Sequence, residues 1–380
     1  MKKWYLLFTT VMLVTLCVTC CVMLSVDAQA ATLANGTCGD NLTWVLEDNG
    51  TLTISGTGAM TKCKSNAYPW SEYKMQIKEL IIQEGVTSIE EYAFSGCKVM
   101  KKVSFPNSLT SIGEYAFANC VSLEHVTIPH NTEVDGRVFS KCTALKEVTV
   151  YGKLSGARNF EECDALEKVV LGDNCTSIPT STFHSCYKLK EVSFPTTLTS
   201  IGDQAFAYCG SLKAVTIPSS VTSIGDMAFY QCDDVEEVHI TDLKAWCNIS
   251  FTYFRSDGSN PLNWGNGMLY LNGELVENLV IPDSITTVKT RAFSGCKSIK
   301  SLVIPSGVTV QSMCFLNCKN LETVIIEEGM TVVPMKLFWN CSNLKEVTLP
   351  ASLSVIDEKA FYMDGKKQKL SRLLAVKKTV

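Results

Sequence analysis

Cys209-Gly210-Ser211-Leu212-Lys213-Ala214-Val215-Thr216-Ile217-Pro218-Ser219-Ser220-Val221-Thr222-Ser223-Ile224-Gly225-Asp226-Met227-Ala228-Phe229 is one full structural period. Val215 and Ile217 alternate with Ala214 and Thr216, the period-2 pattern of a short strand with one buried face. Pro218 ends that strand, because proline has no N–H to give a ladder and fixes φ. A polar turn and a return segment, Val221 to Gly225, then lead to Ala228-Phe229. Three residues later Cys232 opens the next period. Inward residues per period are therefore a leucine, two aliphatics, an isoleucine of the return segment, an alanine, the phenylalanine and the cysteine.

The same Phe-x-x-Cys pair recurs at intervals of 21 to 23 residues: Phe94/Cys97, Phe117/Cys120, Phe139/Cys142, Phe160/Cys163, Phe183/Cys186, Phe206/Cys209 and Phe229/Cys232. After a gap it resumes with Phe293/Cys296, Phe315/Cys318 and Phe338/Cys341. Such a period signifies a solenoid, in which each coil buries its apolar residues only against its neighbours. The expected fold is a β-solenoid poor in helix, right-handed, with one long parallel sheet and about 12 coils of ~23 residues. Twelve strands are read, opening at Ile77, Met100, Leu123, Leu145, Leu166, Leu189, Leu212, Val235, Val276, Ile299, Leu321 and Leu344. At ~4.8 Å between strands the sheet runs roughly 55 Å.

The residue after each leucine checks the register independently. That column reads Lys78, Lys101, Glu124, Lys146, Glu167, Lys190, Lys213, Glu236, Glu277, Lys300, Glu322 and Lys345, and eight of its eleven neighbouring pairs are opposite in charge. Opposite charges across adjacent strands stabilise by about 0.2–1 kcal/mol each. This is a solvated structural ladder rather than a catalytic row.

With that skeleton laid out, the chain resembles the BspA-type (treponemal-type) leucine-rich repeat family. The motif is Cys-x-x-Leu-x-x-Val-x-Ile-Pro, a Thr-Ser-Ile-Gly-like return and Ala-Phe, fullest at Cys186 to Phe206 and Cys209 to Phe229. The resemblance covers about residues 77 to 361. It implies a leucine-rich-repeat solenoid on a bacterial surface or secreted protein, and attachment to matrix proteins, other cells or mucosal surfaces. No active site comes with it.

The first thirty residues stand apart. Lys2 and Lys3 precede an apolar run from Trp4 to Val26, and Ala28-Gln29-Ala30 offers the small residues that a signal peptidase needs. Residues 1–30 are read as a secretory signal, and the competing reading is an uncleaved anchor. Cys17, Cys20 and Cys21 lack the preceding small residue of a lipobox. The expected location is secreted or cell surface, with no membrane contact beyond this segment. Thirty-four basic against thirty-eight acidic residues, with no basic stripe, argue against nucleic acid.

Eighteen cysteines in an exported chain would suggest disulfides. Ten of them hold one equivalent position per coil, so they are expected as buried free thiols packing as small hydrophobes. Cys38 with Cys63 is the pair to test for a bridge, and Cys314 with Cys318 a local exception. A linear ladder does not suit tetrahedral zinc. Four histidines, at positions 125, 130, 184 and 239, are scattered over the coils with no nucleophile and orienting acid beside them. No enzyme and no cofactor is expected.

Three departures carry the candidate sites. Residues 31–76 lack the period and are read as a β-rich N-terminal cap, with a hairpin turning at Asp48-Asn49-Gly50. Trp44, Pro69 and Trp70 suit the covering of the first coil. Within the solenoid of residues 77–365, an insert at about 244–275 makes one coil about 41 residues long and carries Trp246, Phe251, Tyr253, Phe254, Trp264 and Tyr270. Insertions in solenoids map to exposed loops and often to the binding face. These aromatics are read either as packing on the flank or as recognition. On the concave face the outward column runs Ser104, Thr127, Thr149, Val170, Ser193, Thr216, His239, Val280, Val303, Ile325, Thr348, with no aromatic. Val280, Val303 and Ile325 form an apolar stripe beside the insert; strand preference for β-branched residues is the plainer account. After Phe361 no strand is expected, and residues 366–380 are read as a basic tail, either a short amphipathic helix or frayed. An uncapped last face would favour self-association there.

The favoured function is an extracellular binding or adhesion module for a protein or glycan, its contacts drawn from Trp246, Tyr253, Phe254, Trp264, Tyr270, Val280, Val303 and Ile325. The alternative is a structural spacer or surface-coat component without a ligand of its own. A module of a larger enzyme is the third option.

Overall fold

The computed structural model describes residues 30–63, 67–252, 258–357, 359–363 and 366–367. Residues 1–29 of the expected secretory signal and residues 368–380 of the expected basic tail lie outside the described residues. The chain is a β-solenoid. All twelve expected strands are present, from Glu79–Ile82 to Glu346–Thr348, and a further rung, Met268–Leu271, joins them. Within each ladder the rungs are parallel and in equivalent register, as in Val126↔Val148↔Val169↔Val192. Two-residue return strands such as Ser177–Ile178, Ser200–Ile201 and Ser223–Ile224 form a second parallel ribbon.

The sheet expected to be continuous is in four hydrogen-bonded segments. Two of its breaks follow Lys102–Ser104 and Glu191–Ser193, strands shortened to three residues. There Phe105 and Phe194 replace the usual isoleucine, and each ring turns onto the phenylalanine that ends its own period, Phe117 and Phe206, with centroids 5.5 Å and 5.7 Å apart. The third break lies in the insert, between Glu274–Leu275 and Asn278–Val280.

The phenylalanine and cysteine columns are buried throughout, and the leucine and aliphatic columns are buried but for a few half-buried members such as Val103, Val276 and Leu349. Phenylalanine rings stack at 5.3–5.4 Å from Phe94 through Phe229. They stack again from Phe293 to Phe361 at 5.3–5.8 Å. Beside the rings runs a hydrogen-bond ladder with one direction. Phe94 N–H donates to Ala116 O (2.8 Å), Phe117 to Val138 (2.9 Å) and Phe206 to Ala228 (2.8 Å), always from the earlier coil to the later. To aim these N–H groups, residues two before and two after the phenylalanine take positive φ, as in Tyr115 (58°) and Asn119 (60°). Those conformations cost L-residues energy; the repeated bonds and the buried rings hold them.

The cysteines do more than fill space. Eight of the ten column thiols donate to the carbonyl of the phenylalanine one repeat earlier, for example Cys120 to Phe94 (3.3 Å), Cys163 to Phe139 (3.3 Å), Cys209 to Phe183 (3.2 Å) and Cys318 to Phe293 (3.1 Å). All fifteen cysteines from Cys38 to Cys341 are free thiols, Cys38 and Cys63 included. The charge column is realised as ion pairs, for example Lys190–Glu167 at 2.8 Å and Lys345–Glu322 at 2.7 Å. Its like-charged step from Glu236 to Glu277 is interrupted by the Met268–Leu271 rung, which pairs with Glu237–Ile240.

The cap consists of antiparallel strands Thr32–Gly39, Leu42–Glu47 and Thr51–Gly56, the last pairing parallel with Glu79–Ile82. Because donors of the ladder always sit in the earlier coil, the first coil presents three carbonyls with no coil before it. Cap side chains supply the donors: Tyr68 Oη to Glu91 O (2.8 Å), Trp70 Nε1 to Ala93 O (2.8 Å) and Lys74 Nζ to Ser95 O (2.9 Å). The Trp70 ring also stacks on Phe94 at 5.1 Å, starting the aromatic column. At the other end, Tyr362–Met363 pairs antiparallel with Lys366–Lys367, which corrects the expectation that no strand follows Phe361.

Trp70→Ala should cost about 3–5 kcal/mol in urea unfolding, since it removes a buried ring and leaves Ala93 O unpaired. Trp70→Phe keeps the stack and should lose only part of that. A second expectation concerns pH. Burial pushes the Cys97 thiol up from 9.0 to about 12 and that of Cys175 to about 11, and raises Cys120, Cys142, Cys163 and Cys209 well above their ordinary value. Above about pH 9 the unfolded chain ionises these thiols and the folded chain does not. Stability is therefore fully present below pH 9 and falls by about 1.4 kcal/mol per thiol for each pH unit above it. Urea midpoints at pH 8 and pH 10 measure this; equal midpoints would contradict it.

Candidate functional site

The insert is built into the body of the solenoid rather than looped off it. Asp242 caps the short helix Leu243–Cys247 by accepting from Ala245 N–H at 2.9 Å. Ser250–Phe251 continues the return ribbon opposite Ser223–Ile224. Trp246, expected at the contact surface, is only 1% exposed and packs edge-on to Phe251, with centroids 5.6 Å apart. This is a correction: an inward helix position and an inward return position have placed both rings in the core. Tyr253 and Phe254 lie outside the described residues.

Trp264 is half-buried against Tyr230 at 5.2 Å, and Tyr230 meets Tyr208 at 5.5 Å, a flank of edge-to-face rings. Gly265 follows with φ +47°, where a side chain would collide with the Val235 carbonyl. Glycine alone lets the chain pass there and enter the rung Met268–Leu271. In the insert the phenylalanine column lapses. Gly258 O accepts from Phe229 N–H at 2.9 Å, so Ser259 stands in the ring's place. Asn260 Nδ2 then donates to Arg291 O (2.9 Å) and Ala292 O (3.1 Å), the carbonyls that open the second ring stack.

Tyr270 corrects the expectation that the outward column of the main sheet is free of aromatics. The Asn-Gly hairpin forms, with φ of 53° at Asn272 and 85° at Gly273. Its first arm is not a loop but a rung in register with Glu237–Ile240, so Tyr270 stands opposite His239. Those rings stack at 4.9 Å, and His239 Nε2 lies 2.8 Å from Glu237 Oε2. Leu275 is the cross-strand partner of Tyr270 in the hairpin and shares its face.

Past the break the column continues through Val280, Val303 and Ile325, consecutive register partners. Val280 is 58% exposed and Ile325 45%, with Val303 half-buried between them. The structure thus brings Tyr270 together with His239 and Leu275, sets Val280, Val303 and Ile325 on consecutive rungs of the next sheet segment, and places Trp246 in the core and Trp264 against Tyr230. Among the described residues, no group of three or more His, Cys, Asp and Glu side chains is placed to hold a metal ion, and no helix is long and apolar enough to cross a membrane.

Six copies of the BspA type leucine rich repeat region are matched, over residues 64–157, 155–256 and 269–371. The chain belongs to the BspA-type leucine-rich repeat family. Among solved structures it is similar to a leucine-rich repeat protein from Bacteroides ovatus, at 26% identity over 85% of this chain and 79% of that one, with a TM-score of 0.53. It is also similar to a leucine rich cell surface protein from Faecalibacterium prausnitzii (23% identity, 88% and 93% covered, TM-score 0.41). A third likeness is to the pneumococcal vaccine antigen PcpA (17% identity, 86% and 78% covered, TM-score 0.40). No curated protein matches. In this BspA-type chain Trp246→Ala should act on stability, lowering it by about 3–5 kcal/mol as a buried large-to-small change. An unchanged melting temperature would place that ring elsewhere.

Proposed function

We propose that the chain is an extracellular, cell-surface binding module whose contact with a partner protein is made by the main-sheet face from His239 to Ile325. The observation that carries this reading is Val280 and Ile325, exposed on either side of half-buried Val303, with half-buried Tyr270 earlier in the same column, on a strand face whose other rungs are mostly Ser and Thr. Contiguous exposed apolar surface beside a rigid aromatic suits a protein interface, where a few such residues dominate binding. Paired strands hold Val280, Val303 and Ile325 in register, and the export features of residues 1–30 would deliver the face outside the cell.

The test is a panel of immobilised matrix and cell-surface proteins, probed with the full chain and with a Val280→Lys/Ile325→Lys variant. Binding should fall at least ten-fold in the variant, and Tyr270→Ala should cost about 2 kcal/mol, as a hot spot does. Equal binding by a folded variant would remove the face from the interface. No binding by the unaltered chain would favour the spacer reading.

A further inference from the structure

A second surface lies in the N-terminal half, several rungs from the apolar patch and independent of it. Between the strands Lys102–Ser104, His125–Ile128 and Glu147–Val150 there is a groove of about 570 Å³, lined by Ser104, Phe105, Asn107, His125, His130 and Tyr151 among others. Tyr151 directly follows its strand, at the place where Pro129, Pro195 and Pro218 end other strands. Its N–H donates to Ile128 O at 3.0 Å. The ring stacks on His130 with centroids 4.6 Å apart and planes 21° from parallel. Its other neighbour is Gly172, where a Cβ would come within 3.0 Å of the ring. Asn174 Nδ2 donates to His130 O at 2.7 Å across two coils, fixing the backbone that carries the imidazole. The aromatic pair is therefore rigid, yet Tyr151 remains 38% exposed.

We infer that this groove is a subsite for a neutral sugar at the end of an oligosaccharide. A pyranose offers an apolar C–H face, which packs on the exposed His130 imidazole and the edge of the Tyr151 ring held against it, and a rim of hydroxyls, which need short donors and acceptors. The groove supplies both, the rim being Ser104, Asn107, Thr127 and His125. Its volume falls within the ~300–1,000 Å³ of small-molecule sites. The charges argue for a neutral ligand: Lys102 is held by Glu79 at 2.7 Å, and His125 faces Glu147 at 3.8 Å. A carboxylated sugar would have to displace those carboxylates.

An array of oligosaccharides ending in glucose, galactose, N-acetylglucosamine or sialic acid is probed with the full chain, Tyr151→Ala, Tyr151→Phe and Asn107→Ala. The apolar-patch variant Val280→Lys/Ile325→Lys is included, and each variant is checked for an unchanged cooperative melt. The expected result is binding to a neutral terminus, lost at least ten-fold in Tyr151→Ala and Asn107→Ala. Tyr151→Phe and the patch variant should retain it, which separates this site from the protein-binding face. Three outcomes overturn the inference: no neutral glycan bound by the unaltered chain, binding indifferent to Tyr151→Ala, or preference for sialylated ends. A proline-rich peptide array that responds to Tyr151→Ala while the glycans do not would assign the groove to protein instead.

Discussion

The structure depends on the one-way hydrogen bond from each phenylalanine N–H to the carbonyl before the next phenylalanine. Parallel strands alone would tolerate slippage between coils, because the strands are short. The turn ladder fixes the register on a second side, and it can form only where residues flanking the ring accept left-handed φ. Ring stacking and thiol donation then close the interior of the turn. Each repeat thus specifies its neighbour through backbone, ring and sulfur together, which is why a loosely similar sequence suffices at the other positions.

That polarity explains the cap. A solenoid begun with an ordinary strand would bury carbonyls without donors, at a cost of about 1–3 kcal/mol each. Tyr68, Trp70 and Lys74 reach those carbonyls with side chains. Asn260 repeats the device within the insert, where the column restarts at Phe293.

Much of this was legible in the sequence. The period, the buried columns and the charge register follow from the spacing of Phe, Cys, Leu and Lys/Glu. The hairpins at Asn49-Gly50 and Asn272-Gly273 follow from turn chemistry. What was not legible depended on where a chain segment lands after an aperiodic stretch. Nothing in Trp246 distinguishes a core ring from a surface ring until the helix Leu243–Cys247 is placed. Tyr270 read as hairpin because its strand lacks the leucine and cysteine that announce a rung. Likewise, the donors Tyr68 and Lys74 lie outside the repeat, so no column could point to them. The apolar rungs at Val280, Val303 and Ile325 were visible because they keep the period.

The lapse at Ser259 has a mechanical meaning. In a stack whose stability is a sum of nearest-neighbour terms, a joint lacking both a ring contact and a continuous strand ladder is the softest link. Here it sits between His239–Tyr270 on one side and Val280–Ile325 on the other. A partner lying across both would clamp two semi-independent stacks into one, so that occupancy of the surface would be reported as stiffness along the whole rod.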